Sequence, residues 1–233
     1  MAHVMKKSLL GLLALLVGSF SISAKDFTQS KGKLSNQAFY KSIACKATPG
    51  QSCQTPLRRW PKQMRNGISV GLVGVQSVNK NGAYVKATER AIKNAVQQVN
   101  ATGAGVRLRL YSGSAAQNAN IQVHLVKPRG SNRIIKNTGY RLLDGQKVNN
   151  AISASAVVGK YILSSGIAVS VDRVKQSKLN SIVLEEVVQS LGLTWDIHNP
   201  YYDKRSIFAQ VGTDSITKLS GQDAQVLRMH YPK

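Results

Sequence analysis

The sequence is poor in acid: its 233 residues carry 10 Asp+Glu against 32 Lys+Arg, a formal net charge of +22. Aromatic residues make up only 6%, a thin supply of stacking platforms. No metal finger, aromatic-rich strand signature or helix-turn-helix pattern is present, which argues against a dedicated nucleic-acid reader. Six prolines and 19 glycines are too few for a fibrous or low-complexity chain. No internal stretch approaches the roughly 18 apolar residues of a membrane span. Also missing are a G-x-S-x-G elbow, a glycine-rich phosphate loop and a usable His-Asp-Ser order. What remains is 42% hydrophobic, enough for a packed core and unlike a disordered chain. The length suits one domain behind a leader.

The N-terminus has the three parts of a secretory signal peptide: Lys6 and Lys7, the apolar run Leu9 to Val17, and the small residues Ser21 to Ala24. Cleavage after Ala24 predicts an exported protein, periplasmic or secreted, that starts at Lys25. The alternative is a retained anchor, against which the short apolar run counts. No cysteine follows the run to carry a lipid. Cys45 and Cys53 are the two cysteines, and an even pair in an exported chain reads as one disulfide, with Pro49 and Gly50 turning the loop between them.

The charge is uneven. Seven of the ten acids lie after Ala151, so everything before it is strongly cationic. Such a surface attracts an anionic envelope polymer, lipid headgroups or an acidic protein. It reads equally as a plain solvated face.

Ile68 to Val75 is an apolar, β-branched strand. Tyr84 to Ala101 is a helix with Ala91, Ile92, Ala95, Val96 and Val99 on one face. Val106 to Tyr111 and Ala119 to Val126 alternate as strands. In the latter Ile121, Val123 and Leu125 face in, which sends His124 out to solvent. Pro128 to Asn150 reads as a basic loop, Ala151 to Leu163 as a hairpin or irregular stretch, and Gly166 to Asp172 as a strand. Leu179 to Leu193 is a second helix stopped near Gly192. A polar loop, Trp195 to Thr217, precedes a last helix, Ser220 to Tyr231, where Ser220 and Asp223 have capping-box spacing. The order predicts an α+β or mixed α/β domain with one main sheet.

The second helix carries the chemistry. Glu185 and Gln189 stand four apart on one helical face, Glu186 lies beside them, and the turn at Gly192 can return Asp196 to that face. A zincin helix uses H-E-x-x-H to place two metal-binding histidines and a glutamate base. Glu185 and Gln189 occupy the histidine positions here, and Glu186 the base position. Three readings stay open. Glu185, Gln189, Asp196 and His198 could hold a divalent ion, zinc or, with oxygen donors, calcium. The carboxylates could pair with cations while Gln189 and Asp196 lock the helix to the loop. The group could also be a metal-free site.

The run Glu185-Glu186-x-x-Gln189-x-Leu191-Gly192-Leu193-x-x-Asp196, followed by Ser206-Ile207-Phe208, Leu219-Ser220 with Asp223, Leu227-Arg228 and Tyr231-Pro232, resembles the bacterial zincin-like family known as domain of unknown function 2927. Ala119-Asn120-Ile121 also resembles the edge-strand region of zincins. The resemblance spans Trp60 to Pro232. It implies a single α+β, zincin-like (metallopeptidase-like) domain at 60–233, with a mixed sheet, an active-site-type helix and a C-terminal helix. Residues 25–59 then form a basic extension tied by the Cys45–Cys53 disulfide. On this basis Glu186 is the catalytic candidate. Gln189, Tyr201 and Tyr202 are the substrate-contact candidates. Two functions follow: a non-catalytic binder of an anionic envelope component or protein partner that needs no cofactor, or an atypical metal-dependent hydrolase with Glu186 as general base.

Overall fold

A computed structural model describes residues 27–79 and 82–233; the leader reading lies outside them. Five strands make the main sheet in the order β3-β2-β4-β6-β5. They are β2 (Ile68–Val75), β3 (Leu108–Tyr111), β4 (Ile121–Val126), β5 (Ala151–Val158) and β6 (Tyr161–Ser170). The first three pairings are parallel, and β5 closes one edge antiparallel to β6. The sheet is therefore mixed and the fold α+β. Ala151 onward is a hairpin, turning at Gly159 and Lys160. The Ala119-Asn120-Ile121 segment, likened above to a sheet edge, enters β4, the central strand.

Helices α2 (Ala83–Ala101) and α3 (Leu179–Gln189) cover one face of the sheet. Ala91, Ile92, Ala95 and Val99 of α2 and Val183, Leu184, Val187 and Val188 of α3 join Ile121, Val123 and Leu125 of β4 in the main core. The period-2 reading of β4 is right for this face. It is wrong for the other, because residues 128–150 do not trail in solvent. They fold across the second face, where Ile135, Leu143 and Val148 pack on Val126, Ala154 and Ala168. Arg133 holds this strap with two bonds to Asp172, at 2.9 and 3.0 Å, and a third to Ser170 Oγ at 2.7 Å. His124 consequently lies beneath the strap, 1% exposed, its ring 6.5 Å from that of Tyr140.

The segment before Trp60 is more than an extension. Helix α1 (Asn36–Cys45), capped by Ser35 accepting from the Ala38 N–H at 3.2 Å, sends Phe39 and Ile43 into the same core. Strand β1 (Phe27–Gln29) pairs in parallel with β7 (Asp196–His198), a strand inside the stretch read above as loop. Cys45 and Cys53 form the disulfide. Trp60 is fully buried and donates from Nε1 to the Ser190 carbonyl at 3.0 Å.

Helix α3 ends at Gln189, earlier than the apolar pattern suggests, and Gly192 follows at φ +98. That conformation favours glycine, and an added Cβ would run into the Arg58 carbonyl and the His230 ring. Helix α4 (Gly221–His230) starts as expected after Ser220, but not with a capping box: Ser220 gives no side-chain cap. Asp223 is instead 3% exposed and accepts from Ser206 Oγ at 2.6 Å and from the Ile207 N–H at 2.9 Å.

Candidate functional site

Helix α3 is buried on most of its circumference, so its polar residues must be satisfied inside the protein or at its margin. Ser190, just past its end, accepts at the end of a hydroxyl chain: Ser155 Oγ donates to Ser165 Oγ at 3.0 Å, and Ser165 Oγ to Ser190 Oγ at 3.0 Å. This chain ties α3 to β5 and β6. A second polar group is built on the preceding residue. Ser153 of β5 donates to Gln189 Oε1 at 3.4 Å, and Gln189 Nε2 donates to Asp196 Oδ1 at 3.2 Å. The αL turn at Gly192 returns the chain so that Asp196 faces the helix.

Glu186 is 7% exposed, its Oε2 has no hydrogen-bond partner, and its other interaction is with Ser153. Burial pushes its carboxyl up to about 8, with the Asp196 charge adding to the effect. Glu185 is raised well above the usual carboxylate range by burial and then by Asp196 and Glu186, against a hydrogen bond from Thr213. Asp196 is raised by burial, opposed by the Gln189 bond. The electrostatic neighbours of Glu185 are acids, not the cations that a locking ion pair would require. Carboxyls gathered in low dielectric without counter-charge keep their protons. Burial and mutual repulsion thus favour the protonated form at each of the three carboxyls.

The structure therefore brings Glu185, Glu186, Gln189 and Asp196 together and leaves three expected residues outside. His198 is exposed, and its Nδ1 lies 2.7 Å from Gln210 Oε1 with the ring against Phe27. Tyr202 is 2% exposed and stacked on Phe39 at 4.5 Å. Its hydroxyl accepts from the Leu34 N–H and donates to Gln222 Oε1, both at 3.0 Å, which makes it a pin between α1 and α4 rather than a cleft wall. Tyr201 is half-buried beneath the Arg205 guanidinium, 4.9 Å from its ring.

Ser153 and Thr213 were not singled out from sequence. Ser153 sits in ISASA, a small-residue run whose alternation gives no sign of which serine faces the helix. Thr213 belongs to a 3-10 turn far along the chain.

The donor set does not fit a zinc centre. Gln189 is a neutral amide with both ends engaged, and His198 is turned toward Gln210. Among the described residues no three His, Cys, Asp or Glu side chains converge as metal ligands would.

Fold and site define an α+β protein with one main core and a cluster of carboxyls between a buried helix and an antiparallel edge strand. The chain belongs to the family described as Protein of unknown function (DUF2927), whose profile matches residues 35–233. The match takes in α1. Among solved structures, that of myroilysin is similar at a TM-score of 0.40 and 13% identity, over 91% of this chain and 94% of that one. No curated protein matches the chain. Among the described residues no helix is long and apolar enough to cross a membrane.

Proposed function

We propose that this chain is an exported protein on a zincin-like frame that binds an anionic envelope component or an acidic protein partner without catalysing a reaction. One observation carries the reading: the fold leaves few of its acids both exposed and unpaired. Glu186 and Asp223 are buried and Glu185 and Asp196 half-buried. Asp172 and Asp214 are paired with Arg133 and Lys178. Asp144 accepts from the N–H and hydroxyl of Thr138 at 2.9 and 3.0 Å. The excess of 32 Lys+Arg over 10 Asp+Glu is therefore little offset at the surface, and such a field concentrates anions near it. The Cys45–Cys53 disulfide fits an oxidising compartment. The zincin-like frame is supported by the Glu185-Glu186-x-x-Gln189 helix lying beside the antiparallel edge strand β5.

The test is binding of the protein to phosphatidylglycerol vesicles and to an acidic protein fraction as salt is raised. Screening shortens to about 3 Å at 1 M, so binding should disappear over several hundred millimolar salt. Salt-independent binding would overturn the reading.

A second reading, a hydrolase in which Glu186 moves the proton, has one observation in its favour. A buried carboxyl raised to about 8 with a free Oε2 is what general acid–base chemistry near neutral pH uses. Glu186→Gln would then abolish turnover of a peptide library without lowering stability; unchanged turnover would refute it.

A further inference from the structure

Strands β2 and β4 lie side by side and parallel, and their connections diverge. From β2 the chain passes through α2 to β3 on one flank, while β4 is flanked by β6 on the other. In sheets of this kind the crevice outside the carboxyl ends of the two diverging strands is the natural place for a ligand, and here the strap that follows β4 forms one of its walls.

A pocket of about 490 Å³ lies there, lined by Gln76 and Ser77 just past β2, Lys127 and Arg129 just past β4, and Lys136 and Asn137 on the strap. Three of these side chains are cations, none is an acid, and none of the cations is ion-paired to a described residue. The acid of the strap, Asp144, is turned onto Thr138.

The walls are held in place. The Gln76 N–H donates to the Leu125 carbonyl at 2.9 Å, and Gln76 Nε2 donates to the carbonyls of Lys136 and Asn137 at 3.0 and 3.1 Å. Ser77 and Asn137 both stand at positive φ, +58 and +60, a conformation that non-glycine residues adopt where surrounding structure imposes it. Helix α2 begins shortly after β2 with no acid in its first turn and no side-chain cap, so its positive end is not neutralised locally.

Two other cationic pockets among the described residues differ. One mixes Glu89 with Lys86, Arg90 and Lys93. The other sits at the C-terminal, negative end of α2.

We propose that the pocket at the ends of β2 and β4 binds a phosphate-bearing anion, with Lys127 and Arg129 on one wall and Lys136 on the other. The proposal rests on the anion-binding reading above and gives it a place and a ligand class. A planar guanidinium and two ammonium point charges suit a multiply charged tetrahedral group better than a single carboxylate.

The test titrates the full chain with sodium tripolyphosphate and, separately, with vesicles of phosphatidylglycerol in phosphatidylcholine. It compares the triple variant Lys127→Gln/Arg129→Gln/Lys136→Gln with the control Lys86→Gln/Arg90→Gln/Lys93→Gln. Both variants lose equal charge, and equal urea midpoints confirm that both are folded. The expected result is about tenfold or greater weakening in the pocket variant and less than about twofold in the control. Loss of tripolyphosphate binding points to a free phosphate ester, and loss confined to vesicles points to a lipid headgroup. Equal weakening in both variants would overturn the pocket while leaving surface anion binding intact. No binding of either probe by the unaltered chain at low salt would overturn both.

Discussion

Replacing Glu186 by glutamine should make the protein more stable at pH 8 and leave it nearly unchanged at pH 4.5. The folded carboxyl is raised from its ordinary 4.5 to about 8. Between those values the unfolded chain has released a proton that the folded chain keeps, so stability is full below pH 4.5 and falls as pH rises toward 8. Each pH unit costs about 1.4 kcal/mol, which sets a ceiling of roughly 5 kcal/mol across the window. Relaxation and water entry bring the working figure to about 2–4 kcal/mol. Glutamine is isosteric and neutral at every pH. Its amide can donate to Ser153 Oγ, whose own proton goes to Gln189, and its carbonyl replaces an oxygen that already lacks a partner, so at low pH the change should be within about 1 kcal/mol. The assay is urea unfolding of both proteins at pH 4.5, 6, 7 and 8. Only their difference is read, which cancels the buried histidines His124 and His230, whose pKa values are lowered by burial and which titrate in the opposite sense. A difference that stays flat from pH 4.5 to 8, or that favours the unaltered protein at pH 8, would refute the raised Glu186 carboxyl.

His124, lowered to about 4 by burial under the strap with neither ring nitrogen partnered, costs stability as pH falls below about 6.5. His124→Leu should remove up to about 2 kcal/mol of acid sensitivity between pH 7 and 5, seen as a smaller drop in unfolding free energy over that range. Asp223→Ala should cost about 2–4 kcal/mol, because it strands the buried Ile207 N–H and Ser206 hydroxyl; thermal unfolding measures it. Gly192→Ala should prevent a stable fold, since the Cβ meets the Arg58 carbonyl at φ +98, and expression without a cooperative unfolding transition is the expected outcome. Reducing Cys45–Cys53, which closes a loop of eight residues, should lower stability by about 2 kcal/mol, read as a shifted urea midpoint in dithiothreitol.

Much of the frame was legible because it rests on periodicity. Ile68 to Val75, the helix ending at Ala101, and the alternation of Ile121, Val123 and Leu125 are local patterns set by which faces must leave water. The gathering of Glu185, Gln189 and Asp196 was legible for the same reason, since helix spacing and the turn at Gly192 fix their side of the chain. The reading failed where distant chain supplied the environment. A polar, basic segment such as 128–150 gives no sign that it will cover a sheet face, so His124, correctly placed opposite Val123, was sent to solvent. Asp223 had the spacing of a cap, but Ser206 and the Ile207 N–H offered it a buried partnership that no local pattern encodes. Tyr202 followed the helix as a cleft residue would, yet α1 and Phe39 claimed its ring.

The sequence by itself determined the elements, the helix that carries the acids and the excess of positive charge. These depend on composition and on spacing within a few turns of chain. Only the tertiary structure decided the burial that raises those carboxyls, the burial of His124 and the convergence of Lys127, Arg129 and Lys136 at the ends of β2 and β4. Each depends on dielectric and on proximity between segments far apart in sequence, and neither exists until the chain has folded.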